Sequence, residues 1–426
     1  MRKIFNSIPG LVPLYHFLLS IFGAIFYGHP SKKIYVVGIT GTKGKTTTVE
    51  LLNAILEVAG KKTALISSIR AKIGAESEKN KTGNSMPGRF FLQKFLKKAT
   101  HAGCAYALVE VTSQGVVYSR HRFIDWNAGV LTNLAPEHVE AHGTFENYRT
   151  AKLSFLRYVA GRGGAVFLNK DDKYFDFFEN ALIDANPTAY SKQDQEVADI
   201  LENIAPMQGA FGTEPHLLGE FNKENIAAAV AIAKRIGIET SVMKEAIQHF
   251  KGVPGRMEFV QAEPFAVVVD YAHTVESLEA AYRALKERMV KKGGGKLICV
   301  LGACGGGRDT WKRPAMGKVA AGYCDKAILT NEDPYDDPPE ELLNQIAAGF
   351  SRMPGAAYRA FDYEKILDRR EAIEKAISFA RPGDTVVMTG KGSEEWIHVE
   401  KGRKIPWNEQ EVAEAALKKT KNGTPS

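Results

Sequence analysis

Gly38-Ile39-Thr40-Gly41-Thr42-Lys43-Gly44-Lys45-Thr46 decides the fold of the first half of this chain. A β-branched run, Ile34 to Ile39, precedes it and reads as a buried strand. A helical pattern from about Thr46 to Ala59 comes after it. Between a strand and a helix, glycines let backbone amides come close to phosphate oxygens, and the helix N-terminus adds partial positive charge. Lys45 can then neutralise the terminal phosphates and the Thr46 hydroxyl can hold Mg²⁺. The spacing departs from the general phosphate loop, because Ile39 stands where its first glycine belongs; Gly38 and Gly41 produce GxxGTxGKT instead. A purely structural loop is the competing reading, and the strand-loop-helix context argues against it.

Outward from this loop, short apolar runs alternate with helical stretches, as in a parallel α/β sheet. Tyr106 to Val111, Ala128 to Leu131 and Ala165 to Leu168 read as further strands, and Lys223 to Ile236 as an alanine-rich helix. Lys251-Gly252-Val253-Pro254-Gly255 reads as a hinge. A second α/β pattern begins there, with strands at Phe265 to Asp270, Lys296 to Gly302, Lys326 to Thr330 and Thr385 to Thr389, and a helix near Val275 to Lys291. The fold class expected is α/β: a P-loop-type central domain with a parallel sheet, plus a C-terminal Rossmann-like α/β domain. The expected division is an apolar segment 1–32, a central ATP-binding domain 33–254 and a C-terminal domain 255–426. No repeat or low-complexity tract interrupts it, and the tail after Thr420 reads as frayed.

With 426 residues, 44% apolar and 25% charged, the chain has the balance of a globular protein of two or three domains. The net charge of +7 is spread along it, without a Lys/Arg block interleaved with aromatics, which argues against nucleic-acid binding and suits nucleotide and carboxylate ligands. The four cysteines, Cys104, Cys299, Cys304 and Cys324, form no CxxC pair. Neither a zinc ribbon nor a disulfide framework is expected from them, and their sparsity fits a reducing cytoplasm. Leu11 to Tyr27 is strongly apolar and lies after Arg2 and Lys3, yet no small-residue cleavage site succeeds it. Carrying Pro13 and His16, it is short for a membrane span of about 20 residues. A helix packed on the catalytic domain, a peripheral membrane contact through residues 4–27 and a true span all stay open.

The phosphate-loop variant resembles that of the Mur ligase family, which includes folylpolyglutamate synthetase and cyanophycin synthetase; the family usually has Asn where Lys43 stands. Further matches come in family order, from about Lys33 to Gln410. Val109-Glu110-Val111-Thr112-Ser113 resembles EVSS, and Thr132-Asn133-Leu134-Ala135-Pro136-Glu137-His138 resembles TNxxxDH with Glu137 for Asp. Tyr148-Arg149-Thr150-Ala151-Lys152 resembles YxxAK, and Leu218 to Asn225 resembles GxFNxxN. Gly255-Arg256-Met257-Glu258 and Asp270-Tyr271-Ala272-His273-Thr274 resemble GRME and DYAHTP, with Val275 in place of the proline. Taken singly, Glu110, His138, Lys152 and His273 would be ordinary structural residues; shared order and spacing reverse that.

The resemblance implies an ATP-dependent ligase that phosphorylates a carboxylate and couples it to an amine. It implies nucleotide contacts from Gly41, Thr42, Lys43, Gly44, Lys45, Thr46 and Thr47, with Asn222 and Asn225 by the adenine (Asn222 alone would as readily cap a helix). Asp270 would lie at the ribose and Arg256 and His273 near the nucleotide. Lys45, Lys152, Glu110 and His138 become the catalytic set. Phosphoryl transfer brings two anions together, so metal must offset the repulsion. Thr46, Glu110, His138 and Lys152, the last carbamylated, are the implied Mg²⁺ ligands.

Substrate contacts are implied too. Ser85 and Met86 (in Asn84-Ser85-Met86-Pro87), Thr112, Ser113 and Arg120 match acceptor-binding positions. Gly305-Gly306-Gly307-Arg308-Asp309 with Lys312-Arg313-Pro314, and Gly390-Lys391-Gly392-Ser393-Glu394, resemble the GGDRD, KRP and GKGHE segments of tripeptide-forming members. By that match Arg308, Gly390 and Glu394 hold the incoming amino acid, with Asp333 and Tyr335 beside it. Diaminopimelate-adding members carry DNPR where this chain has Glu332-Asp333-Pro334-Tyr335. Tyrosine cannot replace arginine in bidentate carboxylate binding. Asp333, Asp336 and Asp337 would instead suit a terminal ammonium, which raises lysine or ornithine as the residue added. Only 32 residues precede Lys33, where tripeptide ligases carry a domain for the UDP end of the substrate; the expectation is a chain lacking it. Three readings remain: a monomeric tripeptide-type ligase joining an amino acid to a nucleotide-sugar peptide, a relative acting on another carboxylate, and a non-catalytic ATP-binding partner. The retained Lys45, Glu110, His138 and Lys152 weigh against the last.

Overall fold

The computed structural model describes residues 11–137, 139–202, 217–308, 310–350 and 361–422. They fold into two compact units, one of Met1–Ala205 with Phe221–Phe250, the other of Pro206–Glu220 with Lys251–Ser426.

The first unit is built on eight strands: β1 (Tyr35–Thr40), β2 (Thr63–Ile66), β3 (Arg70–Ile73), β4 (Glu76–Lys79), β5 (Tyr106–Glu110), β6 (Ala128–Leu131), β7 (Ala165–Asn169) and β8 (Thr188–Tyr190), in the order β4-β3-β2-β5-β1-β6-β7-β8. From β2 to β8 the neighbours run parallel, and β3 and β4 add an antiparallel edge. Central strands covered on both faces must be apolar throughout, and β1 is buried at five of its six positions. The register sets Ile39 beside Glu110 on one side, and Thr40 beside Leu131 on the other. Consequently the loops leaving β1, β5 and β6 open at one edge, where an open parallel sheet binds ligands.

Among the helices of this unit that pack on the sheet or on one another, five are α1 (Leu11–Phe26), α2 (Lys45–Val58), α3 (Arg89–His101), α4 (Ser113–Val117) and α5 (Phe145–Ala160). A sixth, α6 (Glu220–Ile236), buries Asn222, Asn225 and an alanine-rich face. Asn222 is the third residue of α6, so it does not cap that helix. Gly38, a motif glycine, lies within β1 rather than in the loop. A Cβ there would fall 2.5 Å from Phe155 and 2.9 Å from Trp126, whose rings meet edge to face.

The second unit has β9 (Glu258–Gln261), β10 (Ala266–Val269), β11 (Leu297–Leu301), β12 (Lys326–Leu329), β13 (Tyr363–Lys365) and β14 (Thr385–Met388), ordered β13-β12-β11-β14-β10-β9. All but β9 run parallel. A small hairpin, β15 (Trp396–His398) with β16 (Lys404–Pro406), comes after them. α7 (Val275–Lys291) opens with a capping box in which the Thr274 and Ser277 hydroxyls each serve the other's backbone. One expectation fails here. Cys299, on β11, and Cys324, which ends α8 (Lys312–Tyr323), are joined in a disulfide with Cα atoms 6.2 Å apart. A separation of 25 residues carries no motif; the βαβ crossover from β11 to β12 is what returns the two to contact. Cys104 and Cys304 are free.

Candidate active site

The phosphate loop takes its shape from two glycines. Gly41 has φ +151° and a Cβ on it would meet the Thr132 hydroxyl; Gly44, the N-cap of α2, has φ +80° and faces the Asn225 side chain, so neither place has room for a side chain. The segment after β6 braces the loop. The Thr42 amide donates to the Asn133 carbonyl (3.0 Å), the Lys43 amide to Asn133 Oδ1 (2.8 Å), and Thr132 Oγ1 to the Lys43 carbonyl (2.6 Å). Thr42 Oγ1 meets the Tyr148 hydroxyl at 3.0 Å. Lys45 curls over the loop, its ammonium donating to the carbonyls of Gly41 and Thr42 at 3.0 and 2.9 Å. Thr46 and Thr47 are buried in the first turn of α2, which carries no acidic side chain to compete with an anion.

Glu110, at the end of β5, is buried and accepts from Thr46 Oγ1 (3.1 Å) and the Ser68 amide (2.8 Å). A hydroxyl and a carboxylate converging in this way are hard oxygen donors of the kind Mg²⁺ takes. Lys152, on α5, is almost wholly buried. Its ammonium donates to the Gly41 carbonyl at 2.6 Å and lies 4.6 Å from the Tyr148 ring centre. Burial drives its pKa well below the usual lysine range and the Lys45 charge adds to this, while Glu137 and Glu110 pull the other way. His138 lies outside the described residues.

Two departures from the family pattern meet at this loop. Lys43, in place of Asn, forms an ion pair of 2.7 Å with Glu137, in place of Asp. The extra methylene of Glu lets a buried carboxylate reach a cation that Asn would not supply. Asn225, expected by the adenine, lies against the phosphate loop: its Oδ1 faces Gly44, and its amide donates to Asn222 Oδ1 at 3.0 Å.

The acceptor candidates gather on the same unit. The Arg120 guanidinium donates to the carbonyl of Met86, joining two segments that the sequence separates by 34 residues. Ser85 is half-buried on the same loop. Thr112 caps α4 through the Gly115 amide (3.1 Å), and Ser113 Oγ lies 3.0 Å from His142 Nε2. Ser68 lies outside every motif, and Thr132, Asn133 and Tyr148, which stand within two of them, serve by holding other side chains or the loop.

In the second unit, residues just past the C-terminal ends of β10, β11, β12 and β14 converge. Lys391, fully buried, bridges Asp333 (2.9 Å) and Glu394 (2.6 Å). Glu394 also accepts from the Tyr271 hydroxyl at 3.0 Å. Burial opposes the Glu394 carboxylate, but the Lys391 ammonium outweighs it and holds the pKa below the usual range. The Tyr335 backbone is left-handed, with φ +52°, and its ring stacks on His398 at 5.1 Å while Arg308 lies over it at 4.8 Å. Gly390 (φ +103°) lets the chain pass Glu332, whose Oε2 is buried and has no hydrogen-bond partner among the described residues. The acids expected to be open to an incoming ammonium are engaged by the protein itself: Asp333 by Lys391, Asp336 by the Lys401 amide at 2.7 Å, and Asp337 by Arg313 at 3.8 Å. Compact folding returns cations to this acidic turn from segments far along the chain. Asp270 accepts from the Met257 and Ala272 amides (2.6 and 2.7 Å), Arg256 lies over the Tyr271 ring at 4.0 Å, and His273 Nδ1 meets the Tyr271 carbonyl at 2.7 Å.

Comparison with known proteins bears on this arrangement directly. The Mur ligase middle domain matches residues 39–233, and the Mur ligase, glutamate ligase domain matches residues 255–392. The chain belongs to the Mur ligase family. Like its relatives, this Mur ligase is an ATP-dependent enzyme that forms amide bonds and uses Mg²⁺. It is 34% identical over 411 residues to the UDP-N-acetylmuramoyl-L-alanyl-D-glutamate--2,6-diaminopimelate ligase of Syntrophomonas wolfei, covering 94% of this chain and 81% of that protein. It is 35% identical over 408 residues to the UDP-N-acetylmuramyl-tripeptide synthetase of Deinococcus radiodurans, covering 92% and 80%. Among solved structures, a UDP-N-acetylmuramoyl-L-alanyl-D-glutamate--2,6-diaminopimelate ligase superposes with a TM-score of 0.57 at 25% identity, over 92% of this chain and 79% of that one. The folylpolyglutamate synthase of Mycobacterium tuberculosis shares the fold, with a TM-score of 0.63 at 15% identity over 100% and 98% of the two chains.

Proposed function

We propose that this Mur ligase adds an amino acid to a UDP-muramoyl dipeptide in peptidoglycan precursor synthesis. The observation that carries this is the conjunction, in one chain, of the braced phosphate loop with Glu110 and Lys152 and of a buried Lys391 that ties together Asp333 and Glu394, two residues that the tripeptide-forming pattern puts at the amine substrate.

In the reaction, the γ-phosphoryl group of ATP passes to the acceptor carboxylate, giving an acyl phosphate and ADP. The amine then attacks the acyl carbon, losing a proton as phosphate leaves. Lys45 and the first turn of α2 hold the transferring phosphoryl group. Asn222 and Asn225, with Arg256, Asp270 and His273, serve the nucleotide. Thr46, Glu110, His138 and Lys152 would hold Mg²⁺, which supplies charge neutralisation between the two anions. Ser85, Met86, Thr112, Ser113 and Arg120 face the acceptor.

We infer that Lys152 acts as its carbamate. Carbamylation requires a neutral amine, because only the free nitrogen lone pair attacks carbon dioxide, and burial beside Lys45 favours that form. The product is an anion where a cation stood, which turns the surroundings of Glu110 into a cation site. For the amine, Tyr335 in place of arginine removes the cation that would pair with a distal carboxylate, which favours a basic amino acid over meso-diaminopimelate. Arg308, Asp333, Tyr335, Gly390 and Glu394 are the residues in contact with it. The enzyme works as a monomer, with peripheral membrane contact through residues 4–27, of which 4–10 lie outside the described residues.

The test is phosphate release from purified protein with ATP, Mg²⁺, UDP-N-acetylmuramoyl-L-Ala-D-Glu and a panel of amines. Release that requires both the muramoyl dipeptide and an amine supports the assignment. Release with a folate or plain peptide acceptor, and none with the muramoyl dipeptide, overturns it.

A further inference from the structure

Eleven of the nineteen most exposed large hydrophobic side chains among the described residues lie on one face of the first unit. Seven belong to α1: Leu14, Tyr15, Phe17, Leu18, Phe22, Ile25 and Phe26. At 100° per residue these seven sweep about half the helix circumference. The other half is seated on the protein. Gly23 packs on Phe90 and Gln93 of α3, and Ser20 Oγ donates to the Ser119 carbonyl at 2.8 Å; Phe17, at the border of the two halves, meets the Phe123 ring at 5.2 Å. Arg89 ties the patch together, its guanidinium reaching His16 Nδ1 (2.5 Å) and the Tyr118 carbonyl (2.8 Å). Around α1, the exposed Phe90, Phe91, Val117 and Tyr118 continue the apolar surface.

Charge around this face is mainly basic, with Glu76 and Glu78 lining a cleft beside Phe91, Lys94 and Lys98. The first acidic residue of the chain is Glu50, and between Glu78 and Asp125 there is only Glu110, which is buried at the phosphate loop. The segments forming the patch therefore carry no Asp or Glu, in a chain where 49 of 426 residues are acidic. They do carry exposed Lys32, Lys33, Lys94, Lys98 and Arg122. A helix apolar on both sides is at home in a core or in lipid, and α1 has only one side in a core. Its 16 residues rise about 24 Å, short of the roughly 30 Å hydrocarbon layer, and no helix among the described residues is long and apolar enough to cross a membrane.

We propose that this face, α1 flanked by α3 and the 117–123 turn, docks in the plane of an anionic lipid bilayer, with the α1 aromatics in the interface and the rim lysines on acidic headgroups. This deepens the peripheral membrane contact of the proposed function. Taken with the acceptor assignment, on which this consequence rests, it brings the segment of Arg120 near the lipid surface, so that the acceptor carboxylate is taken up beside the bilayer. A second copy of the chain is the other occupant such a face invites, but two copies would bring mainly basic rims together.

The experiment is co-sedimentation of the full chain, without substrates, on phosphatidylcholine vesicles with and without about 30% phosphatidylglycerol. Wild type should bind the anionic vesicles at least about tenfold more tightly than the neutral ones, and lose that advantage at high salt. Phe22→Glu/Phe26→Glu, at two well-exposed positions, should weaken binding at least about tenfold while keeping the wild-type Tm and solution ligase rate. Protein that stays in the supernatant with anionic vesicles, or a double variant that binds as wild type, overturns the proposal. So does a concentration-dependent dimer that the double variant dissociates in the absence of vesicle binding, which would give the face to a second copy. Vesicle binding by a protein inactive on muramoyl dipeptide would leave the docking face standing and remove only the acceptor assignment.

Discussion

The Lys43–Glu137 ion pair is open to a double-mutant cycle. At 2.7 Å, and at an effective dielectric near 20, the gross attraction is about 6 kcal/mol. Loss of hydration by a carboxylate only 6% exposed, and ordering of a lysine side chain 31% exposed, cancel most of it. A coupling of about 2 kcal/mol is what neighbouring charges in such a setting retain. Lys43→Met removes the cation and leaves the Glu137 carboxylate beside the position of the ATP phosphates, so nucleotide affinity should fall about thirtyfold. Glu137→Gln alone should cost little, because Lys43 is then free to turn toward the phosphates. Lys43→Met/Glu137→Gln should recover most of the loss, since the repelling carboxylate is gone. Calorimetric titration of ATP in Mg²⁺ buffer over the four proteins measures the coupling, with thermal melts to confirm folding. Strictly additive effects on the ATP Kd, within about 0.3 kcal/mol, would refute the idea that the two departures act together.

Lys152→Ala should be inactive and partly rescued by short carboxylic acids, which can occupy the anion position of the carbamate; wild-type activity after exhaustive removal of bicarbonate and carbon dioxide would count against a carbamate. His121 is buried against Tyr158 and its pKa is pushed down to about 3, first by burial and then by Arg122. The unfolded chain takes up a proton near pH 6.5 that the folded chain refuses, so stability falls as pH drops below 6.5 toward 3. Between about pH 7 and 5 this group should contribute a loss of about 2 kcal/mol in urea unfolding, absent in His121→Leu. Tyr335→Arg should shift the kcat/KM ratio toward meso-diaminopimelate; a wild type that already prefers it tenfold overturns the reading of the amine pocket.

Much of both sheets was legible in the sequence because buried parallel strands are uninterrupted apolar runs. Ala128–Leu131 and Val275–Lys291 fall where the pattern put them. Of the strands that escaped, β3 and β4, Arg70–Ile73 and Glu76–Lys79, are paired antiparallel with too little apolar surface to show a period, while β2, Thr63–Ile66, is buried but only four residues long. In the site, residues that act through their own chemical type at a motif spacing (Lys45, Glu110, Lys152, Glu394) were readable. Ser68, which holds Glu110 through its amide, was not, since it stands in no motif, and the hold of Tyr148 on Thr42 does not follow from its place in YxxAK.

By itself, the sequence determined the fold class, the phosphate loop and the family, because strand periodicity, glycine placement and ordered motifs are local properties of a chain. Only the tertiary structure decided which charges meet. It joined Lys43 to Glu137 across 94 residues, engaged Asp333 with Lys391 across 58, and bridged Cys299 to Cys324. It also left one half of α1 bare beside a mainly basic rim. Pairing and exposure depend on which surfaces the strand order and the packing helices bring together, and no run of neighbouring residues contains that information.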